Sequence, residues 1–161
     1  MRKPIPRRLI RAILLATTLL APALPASAQQ IVVGADIDAI VTVARAFGGA
    51  TIDRQSNGNP AIAGRINNIP YYASFQNCTR DAGCQDLNFF AGFLDFKPEL
   101  DKINEWNRSK RFSRAYLDAD GDAVVEMDLN LRGGVTRDNI EANFSNWRLI
   151  LDQFTAHIGF K

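Results

Sequence analysis

Histidine, cysteine and clustered charged residues are where chemistry would be sought in a chain of this size, and each group has a structural explanation here. The single histidine, His157, has no second histidine or cysteine near it in the sequence. A general base needs a nucleophile or metal beside it, and His157 instead sits where it would meet the negative end of a C-terminal helix. Cys78 and Cys84 have five residues between them. A catalytic dithiol is a Cys-x-x-Cys pair at a helix start, where thiolate is stabilised. The wider spacing around a turn reads as a structural disulfide, worth about 2 kcal/mol on the chain-entropy account. The run Asp118-Ala119-Asp120-Gly121-Asp122 invites a calcium reading, but an EF-hand loop wants glycine sixth, glutamate twelfth and flanking helices. Glycine comes fourth here and strands flank it, so a plain turn is expected. No catalytic residue, metal ligand or cofactor is assigned, and no phosphate-binding, dinucleotide or zinc-protease motif is present.

Four cations, Arg108, Lys110, Arg111 and Arg114, lie close together beside acidic neighbours. Such a run is an anion patch or a solvated edge, and the mixed charges favour the edge. Trp106 and Phe112 flank it, either as a ligand platform or as cover for a helix-to-strand corner; the corner is the expectation.

The chain has 161 residues and opens with a leader pattern. Arg2, Lys3, Arg7, Arg8 and Arg11 surround an apolar run from Leu9 to Leu20, and Ala26-Ser27-Ala28 supplies a small-residue cleavage site. This predicts a signal peptide over residues 1–28, cut after Ala28. The apolar run is shorter than the ~20 residues a spanning helix needs, so no stable membrane insertion is expected. A periplasmic or secreted protein follows, as does an oxidising environment for the cysteines. Of 19 basic residues the leader takes five, leaving 14 against 17 acidic, a net of −3. That balance disfavours nucleic acid, whose binding rests on phosphate neutralisation. Residues 29–161 suit a single domain.

Behind these residues the chain alternates helix and strand patterns. Ile37, Ile40, Val41, Ala44 and Phe47 mark one face of a helix over 36–47, ended by Gly48-Gly49 as a left-handed cap. Strands are expected over 50–55 and 61–66, joined by a polar loop. The segments 71–78 and 84–93 should pair antiparallel with Cys78 facing Cys84, Phe75 facing Leu87 and Ala73 facing Phe89. In this register both cysteines share the more polar face and stay out of the core. Pro98 suits the first turn of a second helix. Thr136 can cap a third, whose stripe Ile140, Phe144, Trp147, Leu151, Phe154 and Ile158 should lie across the sheet or in a homodimer seam.

Between the last two helices, Phe112–Leu117 and Val124–Leu131 read as a hairpin. A two-residue type I′ turn at Asp120-Gly121 would set Tyr116 opposite Val125, Arg114 opposite Met127 and Phe112 opposite Leu129. Phe112 and Tyr116 would then face the core, and Arg114 would reach the margin or find a carboxylate. The element order is α-β-β-β-β-α-β-β-α, an α+β domain with helices packed on an antiparallel sheet.

The pattern Trp106-Asn107, Lys110-Arg111-Phe112, Arg114-Ala115-Tyr116-Leu117-Asp118, Gly121-Asp122, Glu126-Met127-Asp128-Leu129 and Gly133-Gly134-Val135 resembles the YbjN family, described as bacterial sensory transduction regulators. The resemblance extends from about Ile37 to Phe154. It implies an α+β domain similar to type III secretion chaperones, with no accepted catalytic activity. The expected function is an exported, non-enzymatic binding or regulatory module for a protein or peptide partner. Trp106, Arg111, Arg114 and Tyr116 are its candidate contacts, and a groove or open sheet edge is the place to receive an extended segment. The alternative is a carrier of a small apolar ligand, with Phe89, Phe90, Phe93 and Phe96 lining a cavity between helix and sheet.

Overall fold

A computed structural model describes residues 31–34, 36–79 and 83–161. The expected leader and residues 80–82, where a turn is expected, lie outside the described residues. A six-stranded antiparallel sheet carries all three helices on one face. In chain order the elements are β1 (Ile31–Val32), α1 (Ile37–Phe47), β2 (Gly49–Arg54), β3 (Pro60–Ile66), β4 (Ile69–Gln76), β5 (Asp86–Phe93), α2 (Leu100–Ser109), β6 (Arg114–Leu117), β7 (Ala123–Asn130), β8 (Val135–Thr136) and α3 (Arg137–Ile158). The large sheet runs β2-β3-β4-β5-β7-β6, and β1 pairs with β8 in a separate two-stranded ladder. The α+β class and the order of the main elements are those expected. The two-residue strands β1 and β8 are additional, being too short to show periodicity.

The apolar stripe of α3 holds the layers together. Ile140, Phe144, Trp147, Leu151 and Phe154 are fully buried and Ile158 nearly so. Phe144 stacks on Phe47 of α1 at 5.7 Å and meets Phe89 of β5 edge-on at 5.1 Å. Phe154 touches Phe93 at 5.5 Å and Trp106 of α2 at 5.0 Å, so one helix contacts the sheet and both other helices. Of the two places expected for the stripe, the structure puts it across the sheet. Thr136 caps it, its Oγ1 accepting the Asn139 N–H at 3.1 Å.

The β4–β5 register matches the expectation, with Phe75 opposite Leu87 and Ala73 opposite Phe89. Cys78 and Cys84 form a disulfide. Its position differs from the expectation: Cys84 is buried within the core cluster and Cys78 packs against that cluster. The ladder begins at Asp86, so Cys84 escapes strand alternation, and the segment after β1 covers it. Gly34 passes so close that a Cβ there would lie 1.7 Å from the Cys84 carbonyl oxygen.

Two helix ends also differ. Gly48 has φ +156° and ψ −172°, outside the left-handed helical region, and Gly49 already belongs to β2. A side chain at Gly48 would place its Cβ 2.0 Å from the Arg65 carbonyl oxygen. Pro98 stands one residue ahead of Glu99, the N-cap of α2, not within its first turn.

The β6–β7 hairpin is shifted by one residue. Arg114 faces Glu126, Ala115 faces Val125 and Tyr116 faces Val124. Asp118 N–H bonds to Asp122 C=O, Gly121 N–H bonds to Asp118 C=O, and of the two expected turn residues only Gly121 has positive φ, at 85°. This is a three-residue loop with its glycine in the left-handed position. One extra loop residue sends the side chains to opposite faces. Ala115 therefore enters the core, while Arg114 and Tyr116 point to the face without helices. Phe112 lies outside the strand altogether and is 65% exposed.

The apolar carrier's proposed lining is divided by the same alternation. Phe89 and Phe93 are buried against α3 and its C-terminal Phe160, and Phe96 meets Phe160 at 5.4 Å. Phe90 faces the other side of the sheet, and ring contacts join β5 to α3 on the helix-covered side.

Candidate functional site

In an open sheet, the two edges and the uncovered face are where a partner can bind. At the β6 edge a side chain of α2 takes both backbone groups of Ala115. Asn107 accepts the Ala115 N–H on Oδ1 at 2.8 Å and donates from Nδ2 to the Ala115 carbonyl at 2.9 Å. One carboxamide thus reproduces both hydrogen bonds a neighbouring strand would make, which is a way of protecting an edge from pairing. Trp106, on the same helix, is 1% exposed and donates Nε1–H to Ser113 Oγ at 3.1 Å. Its ring packs into the corner from inside and also borders a groove beside Phe112.

The other edge, β2, is open. Gln55 N–H bonds to Asn59 C=O at 2.8 Å, at the position next to the Arg54–Pro60 pair. Antiparallel pairs alternate between bonded and non-bonded, so Asp53, Thr51 and Gly49 bond to β3 while Arg54, Ile52 and Ala50 turn their backbone groups outward. Pro60, which has no N–H, falls opposite Arg54 in agreement with this. Arg45 Nε donates to the Ala50 carbonyl at 3.1 Å, and Asp53 Oδ1 accepts the Arg54 N–H at 2.7 Å. The N–H and C=O of Ile52 remain, and among the described residues no strand lies beyond β2. Ile52 itself is 47% exposed. Beside it a depression of about 430 Å³ is lined by Asp36, Ile37 and Asp38 of the α1 start and by Ile52, Arg54 and Pro60.

The candidate contacts do not gather at one place. Arg114 and Tyr116 converge on Glu126, on the helix-free face. Glu126 Oε2 accepts Arg114 Nε at 2.8 Å and also its Nη2, while Oε1 accepts the Tyr116 hydroxyl at 2.8 Å. Glu126 is only 7% exposed on a face with no helix over it. Its two partners satisfy both oxygens, which is what allows a carboxylate to be buried there. Burial, then the bond to Glu126, pushes the Tyr116 hydroxyl up to about 12, and Glu126 raises the Arg114 guanidinium further above its ordinary value. Arg111 lies on the far side of the corner, its guanidinium 4.9 Å from the Phe112 ring centroid.

The groups that could do chemistry are occupied structurally. His157 Nε2 donates to the Lys102 carbonyl at 2.7 Å, and its ring packs on Trp106 at 5.6 Å. In the acidic turn, Asp118 Oδ1 accepts the N–H groups of Asp120 and Asp122, and Asp122 Oδ2 accepts that of Asp95. Among the described residues no group of three or more histidine, cysteine or acidic side chains is placed to hold a metal.

Three residues that matter here were missed from sequence. Ile52 was read only as part of a strand, because periodicity does not say which strand is the edge. Asn107 belongs to the family pattern, which gives it no role. Glu126 is an acidic residue in an otherwise apolar run, and nothing local marks it as buried.

Comparison with curated proteins finds no match. Among solved structures the chain is similar to the Yersinia pestis type III secretion chaperone SycH, crystallised in complex with a stable fragment of YscM2. The identity is 18%, covering 74% of this chain and 96% of that one, with a TM-score of 0.45. The family YbjN, described as "Putative bacterial sensory transduction regulator", matches residues 36–160. The chain belongs to the YbjN family.

Proposed function

We propose that the protein is an exported, non-enzymatic module that takes up an extended segment of a partner protein by strand addition along β2. The observation that carries this is the asymmetry of the sheet. At one edge the Asn107 carboxamide takes both backbone groups of Ala115, and the other edge presents the N–H and C=O of Ile52, without a partner among the described residues, beside a depression. Main-chain bonds along such an edge supply affinity, and pockets for alternate side chains supply selectivity. A second copy of the chain is a poor occupant. Pairing two β2 strands about Ile52 would set Arg54 of each opposite Ala50 of the other, whose carbonyl Arg45 already holds. The leader pattern and the disulfide support residence outside the cytoplasm, in the periplasm where the cell has one.

The test combines crosslinking with hydrogen exchange. A photoreactive residue at position 52 identifies the segment in cells, and a synthetic peptide of that segment should then slow exchange of the Ile52 amide. Ile52→Pro removes an N–H that makes no bond within the sheet, so it should leave the fold intact and abolish binding. Equal binding by this variant, or protection confined to another surface, refutes strand addition. Recovery of the protein from the cytoplasmic fraction with residues 1–28 still attached refutes export.

A further inference from the structure

The connector between α2 and β6 holds a strained aromatic residue beside a groove rimmed by cations. Phe112 has φ +67°, a region in which a bulky side chain is an outlier, and its ring is 65% exposed. Strain of this kind persists where surrounding structure or function requires it. The core does not require the ring, which lies outside it. Next to Phe112 a groove of about 260 Å³ is lined by Trp106, Lys110, Arg111, Leu149 and Ile150, with Leu149 54% exposed. Arg108, Lys110 and Arg111 are exposed, and none forms an ion pair among the described residues. Lys110 Nζ stands 5.7 Å over the Trp106 ring, and the Arg111 guanidinium lies against Phe112, so two cations border the apolar lining.

We propose that this groove docks an acidic protein segment, which inserts one large apolar side chain between Phe112 and Leu149 and sets carboxylates against Lys110 and Arg111. The charge follows from the rim, where Lys110 and Arg111 form no ion pair among the described residues. The inserted side chain follows from the shape, since the apolar residues line a concavity that a flat bilayer surface would not fill. A second copy meeting this face by two-fold symmetry would bring the same cations together. The site lies by β6, at the opposite edge of the sheet from β2, and its test is independent of strand addition.

The probe is a pair of synthetic heptapeptides with a central phenylalanine, one flanked by glutamates and the other by lysines, titrated into isotope-labelled protein. The acidic peptide should give saturable shifts at the amides of 109–112 and 149–153, weaken at least fivefold in 0.5 M salt, and bind at least tenfold more tightly than the basic one. Lys110→Glu with Arg111→Glu, and Leu149→Ser, change exposed side chains and should each weaken it at least tenfold without altering the melting temperature. Phe112→Gly is the sharpest variant. Glycine relieves the positive φ, so thermal stability should hold or rise while affinity falls at least tenfold; a merely structural phenylalanine would lose stability and leave binding unchanged. No saturable shift at millimolar peptide, or equal binding of both peptides, overturns the proposal. So do co-sedimentation with phosphatidylglycerol vesicles in place of peptide binding, and shifts at the same amides on concentrating the protein alone.

Discussion

Asn107→Ala tests the closed edge directly. The carboxamide makes two hydrogen bonds to Ala115, at 2.8 and 2.9 Å, in a partly buried position. A protein hydrogen bond contributes roughly 1 kcal/mol net, and a buried group left without a partner costs more. The substitution removes both bonds at once, for an expected loss of about 2 kcal/mol. With a urea dependence of roughly 2 kcal/mol/M for a domain of this size, the unfolding midpoint should fall by about 1 M with its slope unchanged. Asn107→Asp keeps an acceptor for the Ala115 N–H and loses the donor to its carbonyl, so it should fall between the two. Hydrogen exchange adds the local readout: the Ala115 amide should exchange faster in Asn107→Ala relative to β5 amides in the same protein. Uncovering β6 should also produce concentration-dependent association by light scattering. A midpoint shift below about 0.2 M, with Ala115 exchange unchanged, would refute the argument that this side chain stands in for a strand.

Three further outcomes follow from other parts of the fold. Replacing Cys78 and Cys84 together by alanine should cost about 2 kcal/mol by the chain-entropy estimate, seen as a lower urea midpoint that reductant no longer shifts. Gly48→Ala should cost more than about 2 kcal/mol, because the new Cβ meets backbone, the Arg65 carbonyl at 2.0 Å, and not a movable side chain. Tyr71 and Tyr116 hold their protons up to about 12 in the folded state, above the ordinary 10, chiefly through burial. Unfolding near pH 11 therefore releases protons, and stability should be full below pH 10 and decline as the pH rises towards 12. Tyr116→Phe should flatten that decline and lose about 1 kcal/mol at neutral pH with its bond to Glu126.

The comparison of sequence and structure turns on how strongly each segment alternates. In β4 and β5 apolar residues occupy one parity, and pairing Cys78 with Cys84 gives the same alignment of the two strands, so two independent constraints give one register. The stripe of α3 was legible for a similar reason, since its repeat persists over six turns. The β7 strand is different: Ala123 to Met127 are all buried, Glu126 included. A strand buried on both faces offers no parity, and register then depends on the loop. Asp118 builds that loop by accepting two backbone N–H groups, and the added residue reversed the faces of Arg114 and Tyr116. Phe112 misled for the opposite reason. Its apolar character suggested core, whereas its backbone conformation carries it outside any ladder. The binding surface was less legible still, because an edge is defined by what fails to pair with it, which depends on the whole topology.

The short ladder between β1 and β8 has a consequence for the order in which the molecule is completed. Ile31 and Val32 find their partners, Thr136 and Val135, only in the last third of the chain. A polypeptide made from its N-terminus thus carries these two residues unpaired until nearly everything else exists. Two residue pairs, the burial of Val32 and the contact of Gly34 with Cys84 must offset the closure of a very long loop. This clasp should be the first part to release, seen as faster amide exchange at Val32 than within β4, and without it Cys84 loses the segment that covers it.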